Sequence, residues 1–493
     1  MILAIDQGTT GTTCLVFDPA AELVGRAYRE FGQHFPKPGW VEHDAAEIWE
    51  VSRAVALEAL ADAGVEPGGL LAVGITNQRE TIVAWDGETG EPLHRALVWQ
   101  DGRTAAWCDE LKAEGFEPMV RERTGLVLDP YFSASKAGWM LQNVEGLAEG
   151  AESGSVLLGT IDSWLAFKLT GEHVTDPSNA SRTMLFDIRE GEWSPELCEL
   201  FGVPVRALPE VRPSIGDFGR LADDALPGFD GTPLAGIAGD QQAALYGQAA
   251  LEPGQGKNTY GTGSFVLVNT GTSPPDPAPG LLSTIGWGIG GRTVYAREAP
   301  IFVTGAAVQW LRDGLGIVES AAETEALAAS TTDNGGVYFV PALAGLGSPW
   351  WDPWARGTIV GLTRGSGRAQ LARAALEAIA YQGVDAVRAI EAASQVTLPE
   401  LRADGGATAN GWLMQFQADV LGVPVVVPEV AETTALGAAM MAAVGAGLVT
   451  EDRVAGLWRE RARYEPQMGE DERLSLMDEW HRAVERSRGW AQE

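Results

Sequence analysis

Residues 2–17 read ILAIDQGTTGTTCLVF, an apolar strand, a tight turn rich in Gly and Thr, and a second apolar strand. Residues 257–270, KNTYGTGSFVLVNT, repeat this pattern about half the chain later. A β-hairpin of this kind offers the backbone N–H groups of its turn to whatever lies beyond the tip. The two hairpins predict two related lobes that face one cleft. Two unrelated hairpins are the alternative that the pattern leaves open.

The remaining sequence alternates strand and helix patterns, so the predicted fold class is mixed α/β. Residues 70–76 form an apolar run that predicts a strand, and residues 105–114 and 133–141 have helical patterns. In the second half, residues 367–393 and 411–421 predict two further helices.

Three smaller features also carry expectations. Residues 286–291, GWGIGG, match a dinucleotide-binding pattern in letters only, because a strand-like run and not a helix follows them, so we expect a turn. Asp44 and Glu47 have the spacing of a capping box at the start of a helix. The charged segment after Arg463 predicts a solvent-exposed terminal helix.

Chain length indicates more than one domain. The chain has 493 residues, which suits two domains better than one hydrophobic core. Pro and Gly cluster at residues 251–256, between a helical pattern and the second hairpin. We therefore expect one domain at residues 1–250 and another at residues 251–493.

Composition excludes several classes of partner. The formal net charge of -32 repels polyanions, so neither nucleic acid nor an anionic membrane surface is an expected partner. Three widely spaced cysteines predict no disulfide framework and fit a reducing cytoplasm. The N-terminus lacks a signal-peptide pattern. Residues 435–449 are apolar but shorter than the roughly 20 residues that span a bilayer, so they predict a buried helix.

The first hairpin combines groups that suit phosphate and metal binding. The common phosphate-binding loop, G-x-x-x-x-G-K-[ST], is absent from the chain. In the hairpin, however, the hydroxyls and amides of Thr9 and Thr10 can donate to phosphate oxygens, and Gly11 permits close backbone approach. Asp6, at the end of the first strand, can position Mg²⁺ through water.

A carboxylate at the start of a helix is a candidate general base. Asp240 follows a short strand and begins the helical pattern of residues 240–250. This position aims a side chain into a cleft, where it can accept the proton of an attacking hydroxyl. A helix N-cap is the structural reading of the same residue, and the two roles are compatible.

Arg79 and Glu80 form a third candidate group at the end of a predicted strand. Taken alone, such a pair is more often a solvated ion pair. A small polyol nevertheless suits a donor-only Arg beside an acceptor-only Glu, because its hydroxyls both donate and accept. Trp99, Tyr131 and Phe265 could supply apolar walls, with ordinary core packing as the alternative for each.

These residues, in this order, resemble the glycerol kinases, members of the sugar and polyol kinase family. The resemblance covers nearly the whole chain and includes GITNQRET at residues 74–81, GIAGDQQAALYGQ at residues 236–248 and DGGATANGWLMQFQ at residues 404–417. It implies two actin-like, ribonuclease-H-like domains around a central cleft. It also implies transfer of a phosphoryl group from ATP to glycerol, giving sn-glycerol 3-phosphate.

The resemblance assigns roles to individual residues. In the first domain, the implied base is Asp240 and the implied metal residue is Asp6, for Mg²⁺. The implied glycerol residues are Arg79, Glu80, Trp99, Tyr131, Asp240, Gln241 and Phe265. The implied nucleotide residues are Thr9, Thr10, Gly11, Thr262, Gly305, Gln309, Gly406 and Asn410, the last four at the nucleoside end. The resemblance further implies a cytoplasmic homodimer or homotetramer.

The chain departs from this family in three places. Relatives often have two Ser and an Arg where Gly11, Thr12 and Thr13 stand here, so a charged phosphate contact is expected to be missing. Many relatives have two Arg where this chain has Asp101, Gly102 and Arg103, and the sequence alone does not indicate what this difference does. Residues 221–232 lack the Gly/Arg-rich loop of relatives inhibited by a sugar bisphosphate, and lack a His for phosphotransferase control.

Two other functions stay open at this point. A related polyol or ketose kinase would share the hairpins and Asp240, but not the full set of Arg79, Glu80 and Tyr131 with Gln241 and Gln242 directly after Asp240. A non-catalytic nucleotide-dependent switch of the same fold is the less favoured alternative, because Asp6 and Asp240 are both present.

Overall fold

The computed structural model describes residues 1–492 as an α/β structure with three large sheets, two of which contain the predicted hairpins. The strands are β1 (Ile2–Gln7), β2 (Gly11–Phe17), β3 (Leu23–Glu30), β4 (Gln33–His34), β5 (Glu42–His43), β6 (Ala72–Asn77), β7 (Ile82–Asp86), β8 (Ala96–Leu97), β9 (Val156–Thr160), β10 (Val174–Thr175), β11 (Phe186–Asp187), β12 (Glu192–Trp193), β13 (Glu210–Val211), β14 (Leu234–Gly239), β15 (Gly256–Tyr260), β16 (Ser264–Gly271), β17 (Leu282–Ile289), β18 (Arg292–Ile301), β19 (Tyr338–Val340), β20 (Thr358–Val360), β21 (Leu401–Asp404), β22 (Val425–Pro428) and β23 (Glu460–Tyr464).

The α-helices lie between and after these strands. They are α1 (Ala45–Asp62), α2 (Ala105–Ala113), α3 (Glu117–Thr124), α4 (Ser133–Asn143), α5 (Leu147–Ser153), α6 (Ile161–Thr170), α7 (Pro177–Ala180), α8 (Pro195–Phe201), α9 (Asp240–Gly247), α10 (Gly305–Gln309), α11 (Glu323–Ala329), α12 (Arg368–Ser394), α13 (Gly411–Leu421), α14 (Thr433–Gly445), α15 (Glu451–Leu457) and α16 (Glu470–Ser487). Helix α10 continues into a π-helical turn, Trp310–Gly314.

The two predicted hairpins occupy equivalent places in two of the large sheets. The first lies in a five-stranded sheet of the order β14-β6-β1-β2-β3, and the second lies in a seven-stranded sheet of the order β17-β18-β16-β15-β21-β22-β23. The third large sheet, of the order β4-β5-β8-β7-β9, contains neither hairpin. In each of the first two sheets the hairpin, β1–β2 or β15–β16, pairs antiparallel, and its first strand pairs parallel with the strand on its other side. The predicted repeat of one architecture is therefore confirmed.

Helices α9 and α14 lie between the two sheets that contain the hairpins. One face of β1 and β2, buried residues of α9 and α14, and residues of β16 and β17 form one hydrophobic cluster. The opposite face of the five-stranded sheet packs on α1 and α6, and that of the seven-stranded sheet on α12 and α13. Apolar runs of β1 and β6 suit this arrangement, because both of their faces are covered. As predicted, residues 435–449 include a largely buried helix, α14.

Two local expectations need correction. Residues 286–289 belong to strand β17, and the turn lies only at Gly290 and Gly291, whose φ angles are 53° and 79°. The terminal helix α16 is not solvated on all sides, since Trp480 and Val484 are fully buried. The indole N–H of Trp480 donates to Asp385 of α12 at 2.8 Å, which fixes that face of α16 to the fold.

The capping-box prediction is correct for Asp44 but not for Glu47. The Asp44 side chain accepts hydrogen bonds from the backbone N–H groups of Ala46 and Glu47, as an N-cap does. The Glu47 carboxylate instead accepts from the backbone N–H of Gly32 at 3.0 Å.

Within residues 1–492, no helix has both the length and the apolar character needed to cross a membrane.

Candidate active site

The tip of the first hairpin presents polar groups next to an aromatic side chain. The N–H of Gly8 donates to the carbonyl of Gly11 at 2.9 Å and closes the turn, while Thr10 is exposed. The Thr9 hydroxyl accepts a hydrogen bond from the indole N–H of Trp99 at 3.0 Å, so its own proton is free to be donated elsewhere. The predicted phosphate residue Thr9 and the predicted wall residue Trp99 are thus direct neighbours.

Gly11 is a glycine for a packing reason. It is buried in β2, where a Cβ atom would lie 2.7 Å from both the Arg29 carbonyl oxygen and the Tyr28 ring. No larger residue fits against β3 without displacing it. Its contact with phosphate stays a prediction.

The tip of the second hairpin is fastened to the start of α10. The backbone N–H of Gly305 donates to the carbonyl of Gly261, and that of Ala306 donates to Thr262, both at 3.0 Å. A Cβ on Gly305 would lie 2.6 Å from the Gly261 oxygen, so only glycine permits this approach. Thr262 remains exposed at the tip.

A cavity of about 490 Å³ opens beside this second tip. The predicted nucleotide residues Thr262, Gly305, Gln309, Gly406 and Asn410 all line it, although they come from three separate segments. The remaining lining side chains include Tyr260, Val308, Arg312, Thr324, Glu325, Leu376, Ile379 and Leu413. Apolar walls with a few polar groups, at this volume, suit a nucleoside.

Asp240 lies where the sequence predicted, between β14 and α9. Its side chain is one-third exposed and accepts a hydrogen bond from the N–H of Gln241 at 2.7 Å. It is the first residue of the helix and does not occupy the N-cap position, which Gly239 takes. A Cβ on Gly239 would lie 2.8 Å from the Arg79 side chain, so the glycine leaves room for that arginine.

Arg79 and Glu80 are buried, so the solvated-pair alternative is wrong. Their side chains are only 3% and 2% exposed. Arg79 Nε lies 3.2 Å from Asp240 Oδ1 and 3.8 Å from Glu80 Oε1. Glu80 has a φ of 64°, a conformation that non-glycine residues adopt rarely and that clusters at functional sites.

Two buried charges that sequence reasoning missed complete this group. The Glu298 carboxylate in β18 accepts from Arg79 Nη1 at 2.5 Å and from Arg182 Nη2 at 3.0 Å. Arg182 Nε also donates to Glu80 Oε1 at 2.6 Å. The two arginines lower the pKa of Glu298 to about 2 against the opposing effect of burial, which by itself raises it. A signal was present, because the pair Arg297-Glu298 interrupts an apolar strand and a charge in such a strand needs a partner.

The predicted aromatic walls surround the same place. The rings of Trp99 and Tyr131 meet edge to face with centroids 5.5 Å apart. The Phe265 ring lies 5.7 Å from the Arg79 guanidinium carbon. Buried Lys136 donates to the carbonyls of Tyr131 and Phe132, at 3.1 and 3.0 Å, and so fixes the loop that carries Tyr131.

Gln241 has a partner in the second hairpin. Its side-chain carbonyl accepts a hydrogen bond from Lys257 Nζ, which also donates to Thr259 at 2.7 Å. Burial lowers the pKa of Lys257 to about 8. Lys257, the first residue of the second hairpin pattern, thus has a partner in α9.

Asp6 and Asp240 lie at the same edge of one sheet, because Asp6 pairs with Thr76 of β6 and Gly239, directly before Asp240, pairs with Asn77 of β6. Burial, together with the negative charge of Asp240, raises the pKa of Asp6 to about 7. The proximity of two carboxylates favours a bound cation, and Mg²⁺ is commonly held by one or two carboxylates together with phosphate oxygens and water. Residues 1–492 contain no cluster of three or more His, Cys, Asp or Glu that could hold a metal alone, so any Mg²⁺ here relies on substrate oxygens as well.

The departure at residues 101–103 forms a buried cluster behind Trp99. The Arg103 guanidinium lies 3.7 Å from the centroid of the Trp40 ring and 4.5 Å from that of Trp139. It also pairs with Asp101 and Glu42, each at 2.8 Å. Arg103 therefore anchors the segment that follows Trp99.

The other end of α9 is linked to the strand that precedes one wall of this cavity. Gln248, directly after α9, donates to Asp404 Oδ2 at 2.7 Å. Asp404 is the last residue of β21 and lies two residues before Gly406, which lines the cavity. One short helix therefore connects Asp240, which begins it, to the segment that leads into the cavity wall.

Comparison with known proteins agrees with this geometry. Residues 1–247 match the N-terminal domain of the FGGY family of carbohydrate kinases, and residues 256–446 match its C-terminal domain. The chain is 55% identical over 493 residues to a glycerol kinase of Dechloromonas aromatica, covering 99% of this chain and 98% of that protein. It is 54% identical over 492 residues to glycerol kinase 2 of Thermotoga maritima, covering 99% of each.

Solved structures give the same result. A crystal structure of Plasmodium falciparum glycerol kinase with ADP matches with a TM-score of 0.94 and 34% identity, over 99% of this chain and 98% of that chain. Gluconate kinase from Lactobacillus acidophilus matches with a TM-score of 0.88 at 21% identity, over 98% and 96%, which is a likeness of fold alone. With both domains of the family matched in order and two related sheets around one cleft, the chain belongs to the FGGY family of carbohydrate kinases.

Proposed function

We propose that this protein transfers the terminal phosphoryl group of ATP to a primary hydroxyl of glycerol, giving sn-glycerol 3-phosphate. The observation that carries the proposal is the buried pair Arg79 and Glu80 beside the one-third exposed carboxylate of Asp240. A buried donor next to a buried acceptor suits the hydroxyls of a small polyol, and the aromatic rings around them suit its C–H groups. Relatives of 52–55% identity over nearly their full length carry the name glycerol kinase.

The residues around the polyol site would have the separate roles that phosphoryl transfer requires: binding the substrate, enclosing it and accepting a proton. Arg79 would donate to glycerol oxygens, and Glu80 would accept from its hydroxyls. Gln241 would accept from or donate to them, and Trp99, Tyr131 and Phe265 would enclose the carbon atoms. Asp240 lies at the open side of this group and would accept the proton of the attacking hydroxyl. General bases of this kind contribute about 10²–10⁴-fold to rate.

The phosphates would lie between the two hairpin tips. Thr9, Thr10 and Gly11 on one side and Thr262 on the other would donate to their oxygens, and the cavity lined by Gly305, Gln309, Gly406 and Asn410 would take the nucleoside. Asp6 would hold Mg²⁺ through water; the bound ion would neutralise charge on the phosphoryl oxygens. Excluding water from the cleft protects ATP from hydrolysis, since water is also a nucleophile.

Release of ADP from Mg²⁺-ATP, measured with glycerol, dihydroxyacetone, erythritol, xylulose and gluconate in parallel, tests the proposal. We expect strong activity with glycerol that is lost in Asp240→Asn. Preference for a ketose would keep the family and the base but contradict the roles of Arg79, Glu80 and Tyr131. Inactivity toward all five compounds would favour the non-catalytic alternative.

Three further expectations accompany this proposal. The domain boundary near residues 251–256, a cytoplasmic location and a homodimeric or homotetrameric state all stay predictions. Light scattering on a size-exclusion column gives the molar mass in solution, and a value equal to one chain would contradict the oligomer.

A further inference from the structure

A carboxylate of the second sheet completes the charged group of the first. Glu298 lies in the middle of β18 and is fully buried. Its two oxygens accept hydrogen bonds from two arginines that belong to the part of the chain matching the N-terminal domain. Glu298 itself belongs to the part that matches the C-terminal domain. The geometry around the proposed glycerol residues therefore depends on both halves of the chain.

The contacts form a continuous chain of charges. Asp240 lies beside Arg79, Arg79 donates to Glu298, Glu298 accepts from Arg182, and Arg182 donates to Glu80. Asp240 is partly exposed, whereas the other four side chains are at most 3% exposed. A buried charge without a partner is costly, so each member restricts where its neighbours can lie.

Loss of Glu298 would release both arginines toward the remaining carboxylates. Arg79 already lies 3.2 Å from Asp240 and 3.8 Å from Glu80, so it would pair more closely with these two groups. Glu80, which already accepts from Arg182, and Asp240 would then each be held more tightly by Arg79 when a polyol needs them. The bidentate grip of Glu298 on Arg79 prevents this rearrangement, because Nη1 and Nη2 are both held on the far side.

We propose that Glu298 is a positioning residue for the polyol site: it holds Arg79 and, through Arg182, Glu80 in the orientation that binds substrate. This inference rests on the proposed function and adds a residue to it. Glu298 acts through the two arginines, and no contact with glycerol is assigned to it.

The test compares Michaelis constants for the two substrates in Glu298→Gln. We expect the glycerol KM to rise at least tenfold and the ATP KM to change less than twofold. General damage to β18 would move both constants, because β18 is followed closely by Gly305 of the nucleotide cavity. Asp385→Asn is the matched control: it also removes a buried carboxylate of the second half, one that accepts from Trp480 and His481, and should leave both constants unchanged.

A second variant covers the case in which Glu298→Gln does not fold. The double variant Arg182→Gln/Glu298→Gln removes one charge of each sign, so it leaves fewer unpaired charges in the interior. It should show the same selective rise in glycerol KM. An unchanged glycerol KM, or an equal rise in both constants, in whichever variant folds would overturn the positioning role while leaving wild-type glycerol kinase activity intact. A wild-type protein inactive on glycerol would overturn the proposed function and this role with it.

Discussion

Substituting Gly437 by alanine should impair catalysis from a distance. Gly437 lies in α14 where it crosses α9, and a Cβ at this position would be 1.8 Å from the carbonyl oxygen of Ala243. An ordinary C···O contact is about 3.3 Å, so the helices must move apart by roughly 1.5 Å. The crossing is tight from the other side as well, because a Cβ on Gly247 would be 2.1 Å from the Thr433 oxygen.

The size of the effect follows from what α9 carries. Overpacking of this kind costs about 1–3 kcal/mol of folding stability. Asp240 begins the displaced helix, and a misplacement of about 1 Å in a reacting group can cost about 10²-fold in rate. We therefore expect Gly437→Ala to lower the melting temperature by several degrees and kcat for glycerol by about a hundredfold.

A matched glycine separates this effect from a general cost of changing glycine. Gly456 lies in helix α15, and a Cβ there would meet no atom within 4 Å. Gly456→Ala should stabilise the protein by about 0.5–1 kcal/mol, since alanine favours helix, and leave kcat unchanged. Steady-state ADP release and thermal unfolding measure both variants. Wild-type kcat in Gly437→Ala, with or without a lower melting temperature, would refute the claim that this crossing positions the base.

Three other predictions concern single side chains. Asp240→Asn should lower kcat by about 10²–10⁴-fold in the ADP-release assay, and a loss below tenfold would argue against its role as base. Trp99→Phe keeps an aromatic ring but removes the hydrogen bond to Thr9, which is worth about 1 kcal/mol. We therefore expect the KM for ATP to rise about fivefold. An unchanged KM for ATP would argue against a role of Thr9 in phosphate binding. The hydrogen bond with Asp385 raises the pKa of His481 above its ordinary value. The pair of protonated His481 and Asp385 therefore stabilises the fold fully below about pH 6.5, and this stabilisation is lost as the pH rises through the raised pKa. The melting temperature should therefore fall slightly over that range in the wild type, and His481→Gln should remove this part of the pH dependence.

Local sequence patterns were enough to predict the parts of the site that local structure positions. Both hairpins, the strand before Arg79 and the helix that begins at Asp240 follow from runs of apolar residues ended by Gly, Thr or Asp. The residues expected to contact the nucleoside were assigned only by resemblance to the family. The structure brings those residues to one cavity, which neither composition nor spacing could have predicted.

Long-range pairing explains what sequence reasoning missed. Glu298 and Arg79 are 219 residues apart, and Arg182 and Glu80 are 102 residues apart, so no local pattern links them. The same limit explains the error about Arg79 and Glu80 as a solvated pair. An adjacent charged pair is usually exposed. Only its distant partners, Glu298 for Arg79 and Arg182 for Glu80, show that the charges can be buried because each is paired.

The helix that joins Asp240 to Gln248 has a thermodynamic consequence. At eight residues, α9 is about 12 Å long and too short to bend appreciably. If nucleotide binding shifts Asp404 and the cavity wall that follows it, α9 would pass that shift to Asp240, which begins the helix. Such linkage is reciprocal, so the factor by which ATP changes the affinity for glycerol equals the factor by which glycerol changes the affinity for ATP. The order in which the two substrates arrive then alters the path of binding but not its total free energy.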